Sequence, residues 1–219
     1  MSIFDWFSGP KRFLKQVPER VWFSNEDRKR LFPNEFRNDR AGNTLTIVTA
    51  HFDKAVNEIC EVLGVSVAYT RVNEPYEWSA AIKPSDANPT PIVIVRAGVL
   101  QKVGMPTLPA GLESVRILVY ERHLLREKDD EIEAFGERFL KPGEIWFHMS
   151  LDDALLKIFA KDWMKDFLRS SAKGGNPWLD SRMITKSIEK AQARMQERAI
   201  SQKDAESAEE WLKKNVPPK

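Results

Sequence analysis

The chain has a single cysteine, Cys60, so it forms no internal disulfide; inside the apolar run VNEICEVLGV that thiol reads as a small buried hydrophobe. Histidine is scarce as well. His51, His123 and His148 fall on separate predicted elements, which gives no converging ligand set and no metal site to expect. His148 beside Ser150 resembles half of a nucleophile pair, but no third orienting residue is identifiable, and strand alternation accounts for both. An excess of one charge is also missing: 34 basic and 32 acidic side chains leave a net charge of +2 with no basic stripe. That excludes the electrostatic footprint of a nucleic-acid binder. No apolar run is long enough to cross a bilayer and no apolar signal region follows the start, so a cytoplasmic protein is expected. None of the ten glycines is followed by lysine. A loop ending Gly-Lys-Ser/Thr, which would cradle phosphates and hold magnesium, is therefore absent from this chain, and ATP is not an expected cofactor.

What is present is the composition of an ordinary folded domain, 42% hydrophobic and 30% charged over 219 residues, enough for one substantial domain plus extensions. Residues 1–17 form an aromatic and basic extension. Phe4, Trp6 and Phe7 precede the turn Ser8-Gly9-Pro10 and the pair Lys11 and Arg12. Docking on the domain's own surface is the preferred reading of this short segment, and peripheral contact with the inner membrane is the alternative.

From residue 18 the pattern alternates strand and helix. Arg20 to Phe23 is a short extended piece, followed by a helix capped by Ser24 or Asn25 and stopped by Pro33. TLTIVTA is a buried strand, and the helix after it places Phe52, Val56, Ile59, Cys60 and Leu63 on one face before Gly64. VSVAYTRVN is a second strand, the Pro-rich stretch 73–91 a loop, PIVIVRAGVL a third strand and SVRILVYER a fourth. Short joins and continuous apolar runs predict parallel strands buried on both faces. REKDDEIEAFGERF is helical, and Glu144 to Met149 closes the sheet. The fold class expected is thus α/β, a parallel sheet flanked by helices over residues 18–170, with a long C-terminal helix and tail over 171–219.

The junction between these parts is the most distinctive stretch. After the strand Glu144 to Met149, Ala154, Leu155, Ile158 and Phe159 fall on one helical face, with Ser150 and Asp152 as cap types. Trp146, Trp163 and Trp178 are expected to pack there. From about Asp180 a long helix carries Ile184, Ile188, Ala191 and Met195 in a narrow stripe suited to packing along a domain's flank. FHMSLDDALLKIFAKDW followed by MITKSIEKAQARMQER resembles the SecA preprotein translocase family, where the second RecA-like motor domain hands over to the scaffold helix. Phe147, Ser150, Leu151, Asp152, Asp153, Leu155, Ile158 and Phe159 match the first block. Met183, Thr185, Lys186, Ile188, Glu189, Ala191, Gln192 and Glu197 match the second. Tyr120-Glu121-Arg122-His123 is similar to the family's T-E-R-H. The resemblance runs from about Pro18 to Arg198 and is weak before Val115.

The resemblance implies a RecA-like domain and a link to preprotein translocation. It also exposes departures. The family's arginine fingers, R-G-R, fall on Glu133-Ala134-Phe135, and only Arg138 is left as a candidate phosphate contact, acting in trans. The family's A-G-R-G-T-D falls on Ala97-Gly98-Val99-Leu100-Gln101-Lys102, without its arginine and aspartate. The expected function is that of a non-catalytic adaptor or regulator of translocation. The alternatives are a half-ATPase that completes a site on a P-loop partner, and a helicase-derived nucleic-acid module, disfavoured by the charge balance. Trp211, Leu212 and Met195 are the candidate partner-binding residues. The tail after about Ile200 is expected to pack back as a separate helix or to project toward another chain, self-association being the simplest form.

Overall fold

The structure is a computed structural model that describes residues 13–36, 43–64, 66–85, 89–159, 175–180 and 182–218, together with 166, 168, 170 and 171. Phe4, Trp6, Phe7 and Trp163 lie outside the described residues.

The N-terminal elements are β1 (Leu14–Gln16), β2 (Arg20–Trp22) and α1 (Asn25–Leu31). The central series is β3 (Thr44–Ala50), α2 (Asp53–Leu63), β4 (Thr70–Val72), α3 (Trp78–Ala81), β5 (Ile92–Arg96) and α4 (Ala97–Leu100). Then follow β6 (Ser114–Val119), α5 (Arg126–Glu137), β7 (Gly143–Ser150), α6 (Ala154–Phe159), β8 (Trp178–Asp180), α7 (Arg182–Arg198) and α8 (Ala208–Asn215). The strands form one sheet in the order β4-β5-β3-β6-β7-β2-β8, with β1 also on β7. All pairings are parallel except β2 with β8.

Strand alternation divides the sheet into two buried faces. Leu45, Ile47, Val93, Val95, Ile117 and Phe147 meet α4 and α5 through Leu100, Ile132 and Phe135. Val48, Ala50, Ile94, Leu118 and Tyr120 meet α2 through Val56, Ile59 and Leu63, beside Phe32 and Phe36. The chain therefore leaves β3 toward one face and the neighbouring β5 toward the other, so the crevice between their carboxyl ends is a topological switch point. A third cluster sits beyond the carboxyl ends, where Phe52, Leu124, Leu125 and Leu151 pack on Leu155 of α6, on Ile184, Ile188, Ala191 and Met195 of α7, and on Trp211 of α8. The narrow stripe of α7 is buried there, as its spacing predicts.

Several expectations change. Glu144 to Met149 does not close the sheet; β7 is flanked by β1 and β2, and β8 extends the sheet antiparallel beyond β2. Trp178 accordingly packs on Trp22, at 5.2 Å between ring centroids, as part of a strand pair. The Pro-rich stretch is not all loop: Glu74 caps a 3-10 turn at Pro75–Glu77 with a reciprocal Glu77 bond, leading into α3, where Trp78 is buried. In α6 the buried side chains are Ala154, Leu155 and Leu156, while Ile158 is exposed, because the helix rests on α7 as well as on the sheet edge. The C-terminal helix ends at Arg198. Residues 199–207 run on as a strap without helix or strand, and α8 packs back against α6, which is one of the two outcomes expected for the tail.

Candidate functional site at the carboxyl edge of the sheet

Tyr120-Glu121-Arg122-His123 follows β6 directly, and α5 begins three residues later, so its first turn brings Asp129 under the loop. Asp129 is fully buried and receives four groups. His123 N donates at 3.0 Å, Arg122 Nη1 at 3.1 Å, Gln192 Nε2 at 2.6 Å, and His51 Nε2 lies at 2.7 Å. Burial alone would raise the Asp129 carboxyl, but the Arg122 charge and the bonds from His51 and His123 N hold it down to about 2. An ionised Asp129 places the His51 proton on Nε2. Arg122 is itself buried, pairs with Glu19, and holds its guanidinium 3.5 Å from the Phe147 ring centroid. Desolvation raises the pKa of Glu19, partly offset by Arg122.

The second amide hydrogen of Gln192 goes to His123 O at 2.7 Å. Two of the stretches that resemble the SecA pattern, 120–123 and 183–197, are thus joined by one side chain that ties α7 to the loop after β6. His123 Nδ1 accepts from Leu125 N at 3.0 Å, so its proton sits on Nε2. Burial, with His51 alongside, lowers His123 to about 3 and keeps the ring neutral.

A second charged cluster lies on the other side of this loop. Arg28 of α1 donates to Tyr120 O at 2.8 Å and pairs with Asp153 at 3.0 Å, while Tyr120 donates its hydroxyl to Glu58 at 2.9 Å. Glu121 Oε1 is buried with no hydrogen-bond partner among the described residues. Desolvation, with Asp153 adding repulsion, pushes the Glu121 carboxyl up to about 8. His148 is buried in an aromatic setting beside Trp22 and Phe32, and desolvation lowers its pKa; among the described residues it has no nucleophile paired to it. Among those residues no group of three or more His, Cys, Asp or Glu side chains could hold a metal ion.

The residues singled out from the sequence are placed as follows. Arg138 caps α5, donates to Val103 O at 3.2 Å and lies 5.0 Å from the Phe135 ring centroid. Phe135 is buried against Trp78 and Phe139, and Glu133 sits on the same helix. Met195 and Trp211 do not face a partner: they are 0% and 3% exposed and belong to the chain's own third cluster, with Trp211 edge-on to His123 at 5.3 Å. Trp211, expected as a partner contact because it stands in a polar tail, is the apolar face of an eight-residue helix that packs on this chain. Leu212 remains half-buried at the margin of the cluster.

Sequence reasoning missed Glu19, His51 and Asp129 as one network. Asp129 sits in the charged run REKDDEIE, where nothing marks one acid as buried. Gln192 had a readable signal: it follows Ile188 by four, so it is a polar residue on the apolar stripe.

A parallel sheet in this order, covered on both faces and with its loops gathered at the carboxyl edge, defines a RecA-like α/β domain. No protein-family model matches the chain. Over 98 residues it is 34% identical to the protein translocase subunit SecA of Stutzerimonas stutzeri strain A1501, a match covering 45% of this chain and 10% of that protein. The SecA of Pseudomonas putida strain W619 is 31% identical over 123 residues, covering 55% of this chain and 13% of that one. The SecA of Pseudomonas fluorescens strain Pf0-1 is 33% identical over 113 residues, covering 51% and 12%. The chain is therefore SecA-like over about half its length, and the match takes in about a tenth of the SecA proteins it resembles. The C-terminal part of the Fun30 ATPase domain superposes with a TM-score of 0.40 at 12% identity, covering 70% of this chain and 48% of that one, a likeness too loose to carry an argument.

Proposed function

We propose that the chain is a SecA-related adaptor or regulator of preprotein translocation that performs no nucleotide chemistry of its own and works at the cytoplasmic side of the inner membrane. The supporting observation is the contrast between a SecA-like join of domain and scaffold helix, held by Gln192, and the side chains at the phosphate-contacting positions. An arginine finger acts by placing a fixed positive charge where negative charge develops. Here Glu133 offers a carboxylate, Phe135 is buried in the core, and the Arg138 guanidinium is engaged by Val103 O. With no Gly-Lys-Ser/Thr in the chain, neither half of a nucleotide site is supplied.

Affinity capture from a native lysate under mild cross-linking tests the reading. SecA, a channel component or an exported client should be enriched over a control in which Gln192→Leu loosens the scaffold helix. Recovery of no export component in repeated captures would overturn it.

A further inference from the structure

The switch-point crevice between the ends of β3 and β5 holds a cavity of about 350 Å3, within the range of small-molecule sites. His51 and His123 line it, and both are more than nine-tenths buried. His51 is held through Nε2 and His123 through Nδ1; among the described residues neither His51 Nδ1 nor His123 Nε2 has a hydrogen-bond partner. The two rings therefore present one acceptor and one N–H donor.

Four cations from four segments line the same cavity: Arg96, Lys102, Lys128 and Lys203, the last contributed by the strap. Arg96 is engaged by Asp53, Asp204 and His51 O, and Lys128 by Glu131. Lys102 and Lys203 have no carboxylate partner among the described residues. Asp204 lines the cavity as well, but its charge is matched by Arg96.

We propose that this cavity binds a small phosphate ester that carries hydroxyl groups, such as a sugar phosphate. Lys102, Lys203 and His123 Nε2–H receive the phosphoryl oxygens, and His51 Nδ1 accepts from a hydroxyl. The strap forms one wall, so the ligand bridges sheet and strap. The site is independent of the translocation reading.

Calorimetric titration of the full chain with ribose 5-phosphate and, separately, with inorganic pyrophosphate tests this. One-to-one binding is expected, tighter for the ester, and weakened at least about tenfold by Lys102→Glu with Lys203→Glu, since each lysine makes a charge-assisted bond. Both lysines are exposed, so the double variant should fold, and Lys141→Glu, at a distant exposed site, should bind like the parent. Absence of binding, or affinity unchanged by the double substitution, would overturn the site. Tighter binding of pyrophosphate than of the ester would overturn the role given to His51 Nδ1.

Discussion

Asp129 is the residue on which most of the buried polar network converges. Replacing it with Asn leaves Arg122 buried with only Glu19 opposite it, and the loss of one partner of a buried pair costs about 3 kcal/mol or more. Urea unfolding of Asp129→Asn should show that loss, with the slope of the transition unchanged. The same residues set the pH response. The folded pKa of Asp129 lies below its unfolded value of 3.8, and that of His123 below 6.5, so both contribute stability at neutral pH. That contribution is lost as pH falls, for His123 between about 6.5 and 3 and for Asp129 between about 4 and 2. Glu121 has the opposite sign: it is raised from 4.5 to about 8, so its contribution is present below pH 4.5 and is lost as pH rises through about 8. Glu121→Gln should therefore flatten the fall of the urea midpoint between about pH 4.5 and 8 and leave the variant more stable than the parent above pH 8. An unchanged slope between about pH 4.5 and 8 would show that Glu121 does not titrate in this range.

At the level of elements, the tail behaves as part of the domain. Ser207 caps α8 by accepting from Glu210 N, and Asn215 closes the strap by bonding to Lys203 N, Lys203 O and Trp211 O. Trp211 then lands on the carboxyl edge of the sheet. Trp211→Ala should cost about 3–5 kcal/mol by opening a cavity in the third cluster. Sedimentation should give the same association state as the parent; a dissociated oligomer would restore Trp211 to a partner interface. Where hydrophobic period decides the outcome, the sequence was legible: the parallel strands of the centre, the faces of α2 and α7, and the cap at Ser24 all follow from spacing and side-chain type. Where long-range pairing decides it, the sequence was silent. Three-residue strands such as β1 and β8 have no period of their own; β1 exists because β7 offers an edge, and β8 because β2 does. The break near Ile200 was legible because the apolar stripe thins there, but the choice between packing back and projecting was not: QKDAESAEE favours a helix locally, and burial of Ala205 and Trp211 is gained only if the chain turns. The candidate site was half legible: 120–123 and 183–197 stood out as blocks, yet their meeting through Gln192 and Asp129 is a tertiary fact.

For the molecule as a whole, α7 packs across the carboxyl ends of a RecA-like sheet, while Phe135 of α5 is buried in the core and Arg138 is tied to Val103 O. The tail covers the carboxyl edge with the chain's own residues. The central claim is that this chain contributes no catalytic group to ATP hydrolysis. The most direct measurement is the steady-state hydrolysis rate of magnesium-ATP by the purified chain alone, by SecA alone, and by the two mixed, with the parent and with Arg138→Ala. The chain alone should be inactive, and the mixtures with parent and Arg138→Ala should turn over at the same rate. Hydrolysis by the chain alone, or stimulation of SecA that disappears with Arg138→Ala, would contradict the account.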